Sequence, residues 1–191
     1  MKVFAISGWS GTGKTTLIEK LISHFVRAQL RVAALKHAHA GFDLETPGKD
    51  SARMREAGAA LVLVSAPKRW AVMAELRDAA EPTLLSHLTH LQQVDVTLDL
   101  VLVEGWKYSA LPKLECHRAS IDKPLRCLEE ASILGVCSDT TVLVERAGVA
   151  LLKLDDVAAV ATFVLAHAMS IEDFAAREAA QQLAESRLNL L

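Results

Sequence analysis

The sequence predicts an α/β fold in which a mostly parallel sheet lies between helices, with an additional β segment. Short apolar runs of strand length alternate along the 191 residues with stretches whose apolar residues have helical spacing. A glycine-rich segment at residues 8–15 joins the first apolar run to the first helical stretch. Ligands of such folds bind outside the carboxyl ends of the strands, so functional residues are expected there.

The glycine-rich segment reads G-W-S-G-T-G-K-T and matches G-x-x-x-x-G-K-[ST], the phosphate-binding P-loop. Backbone N–H groups of such a loop form a nest for phosphates, and the next helix directs its positive dipole end at the same anion. Lys14 is expected to reach the β- and γ-phosphate oxygens, and Thr15 to hold Mg²⁺. The apolar run at 3–6 and the periodic helix that follows provide the required context, which predicts a three-layer fold like that of P-loop NTPases. The helix has apolar residues at Leu17, Ile18, Leu21, Ile22, Phe25 and Val26.

Strands and one short helix are predicted between the first helix and residue 80. The short helix is expected to be capped by Asp50 or Ser51 and to end at Gly58. Pro67 interrupts the last two strands, and the second of them is a candidate for edge pairing. The strands are expected at residues 31–35, 61–64 and 70–74.

The second half of the chain continues the alternation. Pro82 fits the first turn of a helix that carries a leucine stripe, and Asp155 or Asp156 begins another helix that runs to about residue 168. We therefore expect a single nucleotide-binding domain at 1–168 and a polar helical tail at 169–191. Ser170 with Asp173 is a candidate helix start, and a solvated terminal helix is favoured over a partner-binding helix. The strands are expected at residues 100–103, 113–116, 133–137 and 149–154.

Composition excludes several classes of function. The formal net charge of −2 gives no overall attraction to nucleic acid or to an anionic membrane. The longest apolar run, 157–166, is much shorter than the roughly 20 residues of a membrane span. Cys116, Cys127 and Cys137 show no C-x-x-C spacing, which indicates buried thiols in a reducing compartment. The expectation is a cytoplasmic protein that binds neither nucleic acid nor a membrane.

Two acidic residues flank the apolar run at 100–103 and compete for the role of metal ligand. Asp99 and Glu104 lie about 16 Å apart if the run is extended. Glu104 stands at the carboxyl end of the predicted strand, which is the end near the P-loop if the two strands are parallel. We therefore predict that Glu104 binds Mg²⁺ or orients water, and that Lys14 and Glu104 are the catalytic residues. The alternative is a surface glutamate in a turn.

The loop after the second strand contains a second group of candidates. Lys36 stands where a strand ends and is expected to face the phosphates. His37 and His39 could belong to a metal site, but no third ligand follows at a useful spacing, so binding of a phosphorylated ligand is favoured. Asp50 is a second candidate for Mg²⁺, although helix capping alone would explain it.

Base recognition has two candidates. Asp139 follows the strand at 133–137, and its carboxylate could accept hydrogen bonds from guanine N1 and N2, which adenine does not offer. The fuller N-K-x-D pattern of many GTPases is absent from the sequence. Trp70, next to Arg69, could stack on a flat ring, but an aromatic residue in a β-rich run favours a core position.

Together these segments resemble a known family, the molybdopterin-guanine dinucleotide biosynthesis adapter proteins, the B proteins of that pathway. The resemblance covers about residues 1–168, and the P-G-K-D-S and E-G-W-K segments are its most specific parts. It lies in residues 9–16, 35–39, 43–51, 55–59, 69–73 and 99–107.

The resemblance implies a GTP-binding homodimer with at most weak Mg²⁺-dependent GTPase activity that assists the guanylyltransferase joining GMP to molybdopterin. A segment at about 69–118 is a candidate for the dimer contact. Ala40 follows His39 where the family often has paired histidines, so direct binding of molybdopterin stays open. A P-loop small-molecule kinase, an ATP-dependent ligase and a nucleotide-free scaffold are the alternatives. The nucleotide-binding residues are expected to be Gly11, Thr12, Gly13, Lys14, Thr15 and Thr16, with Lys36 and Asp139.

Overall fold

The computed structural model describes residues 1–38 and 48–188, and the side chains up to residue 183. The chain forms two compact units. The larger unit consists of Met1–His37 and Leu84–Leu191, and the smaller unit is Ala38–Thr83. Candidate residues His39 and Ala40 lie outside the described residues.

The elements are bounded as follows. The strands are β1 (Lys2–Ser7), β2 (Val32–Lys36), β3 (Leu61–Ala66), β4 (Arg69–Ala74), β5 (Leu100–Glu104), β6 (Lys113–His117), β7 (Ile133–Ser138), β8 (Ala150–Lys153) and β9 (Met169–Ser170). The helices are α1 (Lys14–Arg27), α2 (Asp50–Glu56), α3 (Leu84–Val94), α4 (Val157–His167) and α5 (Ile171–Leu188), with a 3-10 turn at Arg126–Leu128.

The larger unit contains a seven-stranded sheet in the order β2-β5-β1-β6-β7-β8, with β9 added beside β1. The strands on this path pair in parallel, whereas β9 is antiparallel to β1. The carboxyl ends of the strands on the path therefore meet at one edge of the sheet. The mostly parallel sheet that the sequence predicts is confirmed.

Helices cover both faces of this sheet. Phe4 and Ile6 of β1 pack in one apolar cluster with residues of α1 and α4, and Val3 and Ala5 pack in a second cluster with residues of α3 and α5. These four side chains of β1 have no solvent exposure. Successive side chains of a strand point to opposite faces, so a strand covered on both faces is apolar throughout. The result is the expected three-layer architecture.

The smaller unit departs from the predicted organisation. Its β3 and β4 form a separate two-stranded antiparallel sheet, joined through Pro67 and Lys68, instead of adding to the large sheet. The helix α2 begins at Asp50, but its cap is Lys49 in an extended conformation, so the prediction that Asp50 or Ser51 caps it was wrong. Trp70 is 55% exposed, so its predicted core position was also wrong. A two-stranded sheet has too little apolar surface of its own to cover such a side chain.

Two further boundaries differ from expectation. Pro82 precedes α3 by two residues instead of forming its first turn. The tail begins with a capping box, in which the Ser170 hydroxyl accepts from the Asp173 N–H and donates to the Asp173 carboxylate. Phe174 is fully buried in the second apolar cluster, so the first turn of α5 belongs to the core and is not solvated. A domain boundary at residue 168 stays a prediction about independent folding.

The helices of the described residues were also considered as membrane spans. Within residues 1–38 and 48–188, none combines the length and apolar character that crossing a bilayer requires.

Candidate nucleotide-binding site

The glycines of the P-loop occupy backbone conformations that other residues rarely adopt. Gly8, Gly11 and Gly13 have φ of 129°, 82° and 92°. A Cβ atom on Gly8 would lie 2.4 Å from the Cys116 carbonyl oxygen of β6. Contact this close with backbone leaves no room for a side chain, so the loop passes directly beside the neighbouring strand.

The loop is folded around the carbonyl oxygen of Trp9. This oxygen accepts from the Lys14 ammonium at 2.8 Å, from the Thr12 hydroxyl at 2.8 Å and from the Thr12 N–H at 3.3 Å. Burial is the main cause that lowers the pKa of Lys14, and the Glu104 charge opposes it. An anion in the loop offers Lys14 a charged partner in place of a neutral carbonyl, and a charge-assisted hydrogen bond is the stronger of the two.

A segment that follows β6 holds the outer side of the loop. The Trp9 indole N–H donates to the Pro124 carbonyl at 2.8 Å, and the cations of Lys123 and Arg126 lie 5.9 and 5.5 Å from the Trp9 ring centroid. A Cβ on Gly11 would contact the Ile121 side chain at 3.4 Å. These contacts fix the exposed turn of the P-loop against the larger unit.

Opposite the start of α1, the structure brings together three of the predicted site residues. The Thr15 hydroxyl donates to Glu104 Oε2 at 2.9 Å, and Lys36 Nζ lies 3.4 Å from the Thr15 oxygen and 3.4 Å from Glu104 Oε1. The sheet explains this meeting, because Lys36 and Glu104 are direct register partners in β2 and β5. Glu104 in turn pairs with Ile6 of β1, just before the P-loop.

The chemistry of these groups fits a magnesium ion. Magnesium prefers oxygen ligands at about 2.0–2.1 Å in octahedral geometry, which places neighbouring ligand oxygens about 2.9 Å apart. The Thr15 and Glu104 oxygens already have this separation of 2.9 Å. The side chain of Glu104 is only 13% exposed, so its charge is shielded from bulk water. Among the described residues, no group of three or more His, Cys, Asp or Glu side chains could hold a metal by itself, so phosphate oxygens or water would have to complete a magnesium shell.

The other predicted site residues lie apart from this group. Asp50 belongs to the smaller unit, where its carboxylate is 91% exposed and lies 4.0 Å from Arg53. Asp139 follows β7, and its carboxylate accepts from the Ala119 N–H at 3.1 Å and lies 3.5 Å from the Arg118 guanidinium. The His37 ring packs on Trp106, with 4.7 Å between the ring centroids.

Arg118 is a site residue that the sequence reasoning missed. Its Nε donates to the Thr12 carbonyl at 3.2 Å, and its guanidinium lies 3.3 Å from the position of a Cβ on Gly13. The signal was available, because Arg118 follows the carboxyl end of the predicted strand at 113–116 just as Glu104 ends the strand at 100–103. A cation at this place neutralises a loop carbonyl and supports the P-loop from the side opposite to Glu104.

The three thiols are buried and free, as expected from their apolar surroundings. Cys116 and Cys137 are register partners in β6 and β7, with 3.6 Å between the sulfur atoms. The hydrogen bond with Cys116 and burial raise the pKa of Cys137 far above its ordinary value. These thiols therefore fill the core beneath the site and are unreactive at neutral pH.

Comparison with known proteins identifies the family. The family model described as MobB, "Molybdopterin guanine dinucleotide synthesis protein B", matches residues 3–139, which include the P-loop, Lys36, Glu104 and Asp139. The chain belongs to the MobB family. The resemblance inferred from the sequence motifs is thereby confirmed.

Relatives and solved structures of the MobB family agree with this assignment. The "Molybdopterin-guanine dinucleotide biosynthesis adapter protein" of Haemophilus influenzae is 39% identical over 163 residues, which cover 85% of this chain and 86% of the relative. The protein of the same description from Escherichia coli is 37% identical over 164 residues, covering 85% and 91%. The crystal structure of Bacillus subtilis MobB superposes with a TM-score of 0.70 at 25% identity, covering 89% and 99% of the two chains.

Proposed function

We propose that this chain is a GTP-binding adapter with weak Mg²⁺-dependent GTPase activity in the synthesis of molybdopterin guanine dinucleotide. The two relatives described above are named adapter proteins of this biosynthesis. The observation that carries the nucleotide part is the 2.9 Å contact between Thr15 of the P-loop and Glu104 at the end of β5. A structural P-loop that only shapes a turn has no need of a shielded carboxylate at this position.

The residues of the site divide the work of holding a triphosphate. Backbone N–H groups of residues 11–16 and the amino end of α1 bind the phosphates, and Lys14 leaves the Trp9 carbonyl for the β- and γ-oxygens. Lys36 adds a second cation beside the same oxygens. Thr15 and Glu104 would hold Mg²⁺, which neutralises charge that develops on the phosphates.

Slow hydrolysis follows from the surroundings of this site. GTPases that hydrolyse rapidly orient the attacking water with a glutamine. The glutamines of this sequence lie after α1, at the end of α3 and on α5, and none follows the carboxyl end of a strand. Glu104 is already engaged by Thr15 and Lys36, so it is a poor general base. The chain is therefore suited to bind the nucleotide for longer than a fast GTPase does.

We assign the homodimer contact to the hairpin of the smaller unit, which overlaps the predicted segment at 69–118. One face of this two-stranded sheet presents large apolar side chains, all more than 40% exposed: Leu61, Leu63, Trp70 and Val72. An isolated hairpin is marginally stable in water, and a contiguous exposed apolar face is typical of an interaction surface. A second copy of the chain would cover this face.

Binding calorimetry with GTP and ATP, each with and without Mg²⁺, tests the nucleotide part of the proposal. We expect GTP to bind more tightly than ATP and Mg²⁺ to strengthen the binding. Equal or tighter binding of ATP would favour the alternative of a small-molecule kinase or an ATP-dependent ligase. Lack of binding of both nucleotides by a folded sample would favour a scaffold whose P-loop holds only an anion.

The partner part of the proposal needs a separate experiment. The partners are the guanylyltransferase and, through it, molybdopterin. Affinity capture of purified guanylyltransferase on the immobilised chain should increase when GTP and Mg²⁺ are present. Capture that is absent under all nucleotide conditions would remove the adapter role, even if GTP binds.

A further inference from the structure

We propose that the cleft between α1 and the carboxyl ends of β6, β7 and β8 is the nucleoside subsite, in which Lys20 and Asp155 read the edge of guanine. This inference rests on the proposed GTP binding and names the residues that would give it specificity. It assigns to Asp155 the recognition that the sequence alone had suggested for Asp139.

The strand order determines on which side of the P-loop the nucleoside lies. β1 carries the P-loop and has β5 as one neighbour and β6 as the other. Thr15, Lys36 and Glu104, the groups for the metal and the terminal phosphates, gather on the β5 side. A triphosphate is a linear chain, so its other end leaves the nest on the β6 side, toward β7 and β8.

A cleft lies on that side, beside the P-loop. It is lined by Gly13, Thr16, Leu17, Lys20, Arg118, Leu154 and Asp155. Gly13, Thr16, Leu17 and Lys20 form one face of α1, and the step from Gly13 to Lys20 covers about 10 Å at 1.5 Å per residue. This length is comparable to that of a nucleoside. Leu17 and Leu154 provide apolar surface for a base, and Arg118 provides a cation beside Gly13.

The far end of the cleft carries a donor and an acceptor with the polarity that guanine requires. Lys20 Nζ lies 3.8 Å from Asp155 Oδ1. Guanine presents the O6 acceptor next to the N1–H and N2–H donors, so an ammonium and a carboxylate side by side match its edge. Adenine presents its N6 donor in place of O6 and would meet the Lys20 ammonium with like polarity.

The two candidate carboxylates differ in their availability. Both oxygens of Asp139 already have partners, since Oδ1 accepts from the Ala119 N–H and Oδ2 lies 3.5 Å from Arg118. Its role is to hold the turn after β6 and the arginine that supports the P-loop. The side chain of Asp155 is 88% exposed, compared with 30% for Asp139. A base can therefore approach Asp155 without first breaking a contact between two elements of the fold.

The test compares GTP with inosine triphosphate, which differs only by lack of the 2-amino group. Calorimetric dissociation constants are measured for the full chain and for Asp155→Ala and Asp139→Ala. The wild type should bind GTP about tenfold more tightly than inosine triphosphate, because the 2-amino group donates to a carboxylate. Asp155→Ala should abolish this ratio, and Asp139→Ala should weaken both nucleotides alike and keep it.

The ratio separates recognition from folding, because general damage to the site lowers both affinities together. A ratio that survives in Asp155→Ala, or that disappears in Asp139→Ala, would overturn the assignment of guanine recognition while GTP binding itself stands. A wild type that binds no triphosphate would instead overturn the proposed function. Lys20→Ala gives an independent arm, in which the preference for GTP over ATP should fall.

Discussion

The hydroxyl of Thr15 and the carboxylate of Glu104 lie 2.9 Å apart, although 89 residues separate them in the sequence. Thr15 is in the first turn of α1, and Glu104 is the last residue of β5, the strand next to β1. Parallel pairing of β1 with β5 brings the two oxygens to the same edge of the sheet. The first prediction tests this contact directly.

Replacing Glu104 with glutamine should reduce GTP hydrolysis and remove most of the gain in affinity that Mg²⁺ provides. The amide is a weaker ligand for a hard cation than a carboxylate, while the P-loop N–H groups and Lys14 are unchanged. Single-turnover hydrolysis and calorimetry with and without Mg²⁺ measure the two effects. Glu129→Gln, at an exposed position, is the control. Unchanged turnover and Mg²⁺ dependence in Glu104→Gln would contradict the assignment.

Replacing Lys14 with alanine should weaken GTP binding by roughly 2–4 kcal/mol, because a charge-assisted contact to phosphate is lost in a partly desolvated site. The variant should remain folded, because the ammonium of Lys14 has only the Trp9 carbonyl as its hydrogen-bond acceptor among the described residues. Calorimetry gives the affinity, and thermal unfolding without nucleotide gives the stability. Lys68→Ala, an exposed lysine in the turn between β3 and β4, should leave both values unchanged. Wild-type affinity in Lys14→Ala would mean that the triphosphate is held elsewhere.

Two glycine substitutions separate backbone strain from steric overlap at the P-loop. Gly8 has a φ of 129° and its Cβ position lies 2.4 Å from the Cys116 carbonyl oxygen, whereas Gly148 has a φ of 81° with no atom within 4 Å of its Cβ position. Alanine at either place suffers the strain of positive φ, but only Gly8→Ala also displaces a neighbouring strand. We expect a loss of stability of about 1–2 kcal/mol in Gly148→Ala and a clearly larger loss in Gly8→Ala. Equal unfolding midpoints in denaturant would show that the loop relaxes away from β6.

Replacing Leu63 with lysine should shift the proposed homodimer toward the monomer. Leu63 is 62% exposed and lies opposite Val72 on the apolar face of the hairpin. Burying a charge at such a contact costs more than the apolar side chain contributed. Sedimentation equilibrium measures the dissociation constant, with Lys68→Glu as a charge-changing control in the same hairpin. A dimer that is equally tight in Leu63→Lys would place the contact on another surface.

The stability contributed by Asp95 should depend on pH in a defined direction. Hydrogen bonds from Thr97 and from Arg31 lower the pKa of Asp95 from 3.8 to about 2. A carboxyl whose pKa is lower in the folded protein stabilises the fold above its unfolded pKa, and this contribution is lost as the pH falls through the folded pKa. Asp95→Asn should therefore lower the unfolding temperature near neutral pH, and the difference from wild type should shrink toward about pH 2.5. Asp122→Asn, which removes an exposed carboxylate, serves as control, and a pH-independent difference would contradict the argument.

Much of the site could be predicted because its parts are local or obey a sheet rule. The P-loop is one continuous segment, and its turn depends on glycines that the sequence displays. Glu104 could be chosen over Asp99 because only one end of a parallel strand faces the ligand edge. Arg118 obeys the same rule but was missed, because a single arginine after a short strand carries no motif. Asp139 was recognised as lying at the right edge, but its engagement with Ala119 and Arg118 depends on a turn that the sequence pattern does not reveal.

The sequence by itself determined the three-layer α/β fold and the phosphate-binding loop, because apolar periodicity and glycine spacing are properties of neighbouring residues. Only the tertiary structure decided that β3 and β4 leave the large sheet, since strand-forming residues look alike whichever partner they pair with. It also decided that Thr15, Lys36 and Glu104 meet and that Arg118 supports the loop from the other side. Those contacts join residues from different strands, and their distances follow from strand order and register, which no local pattern encodes.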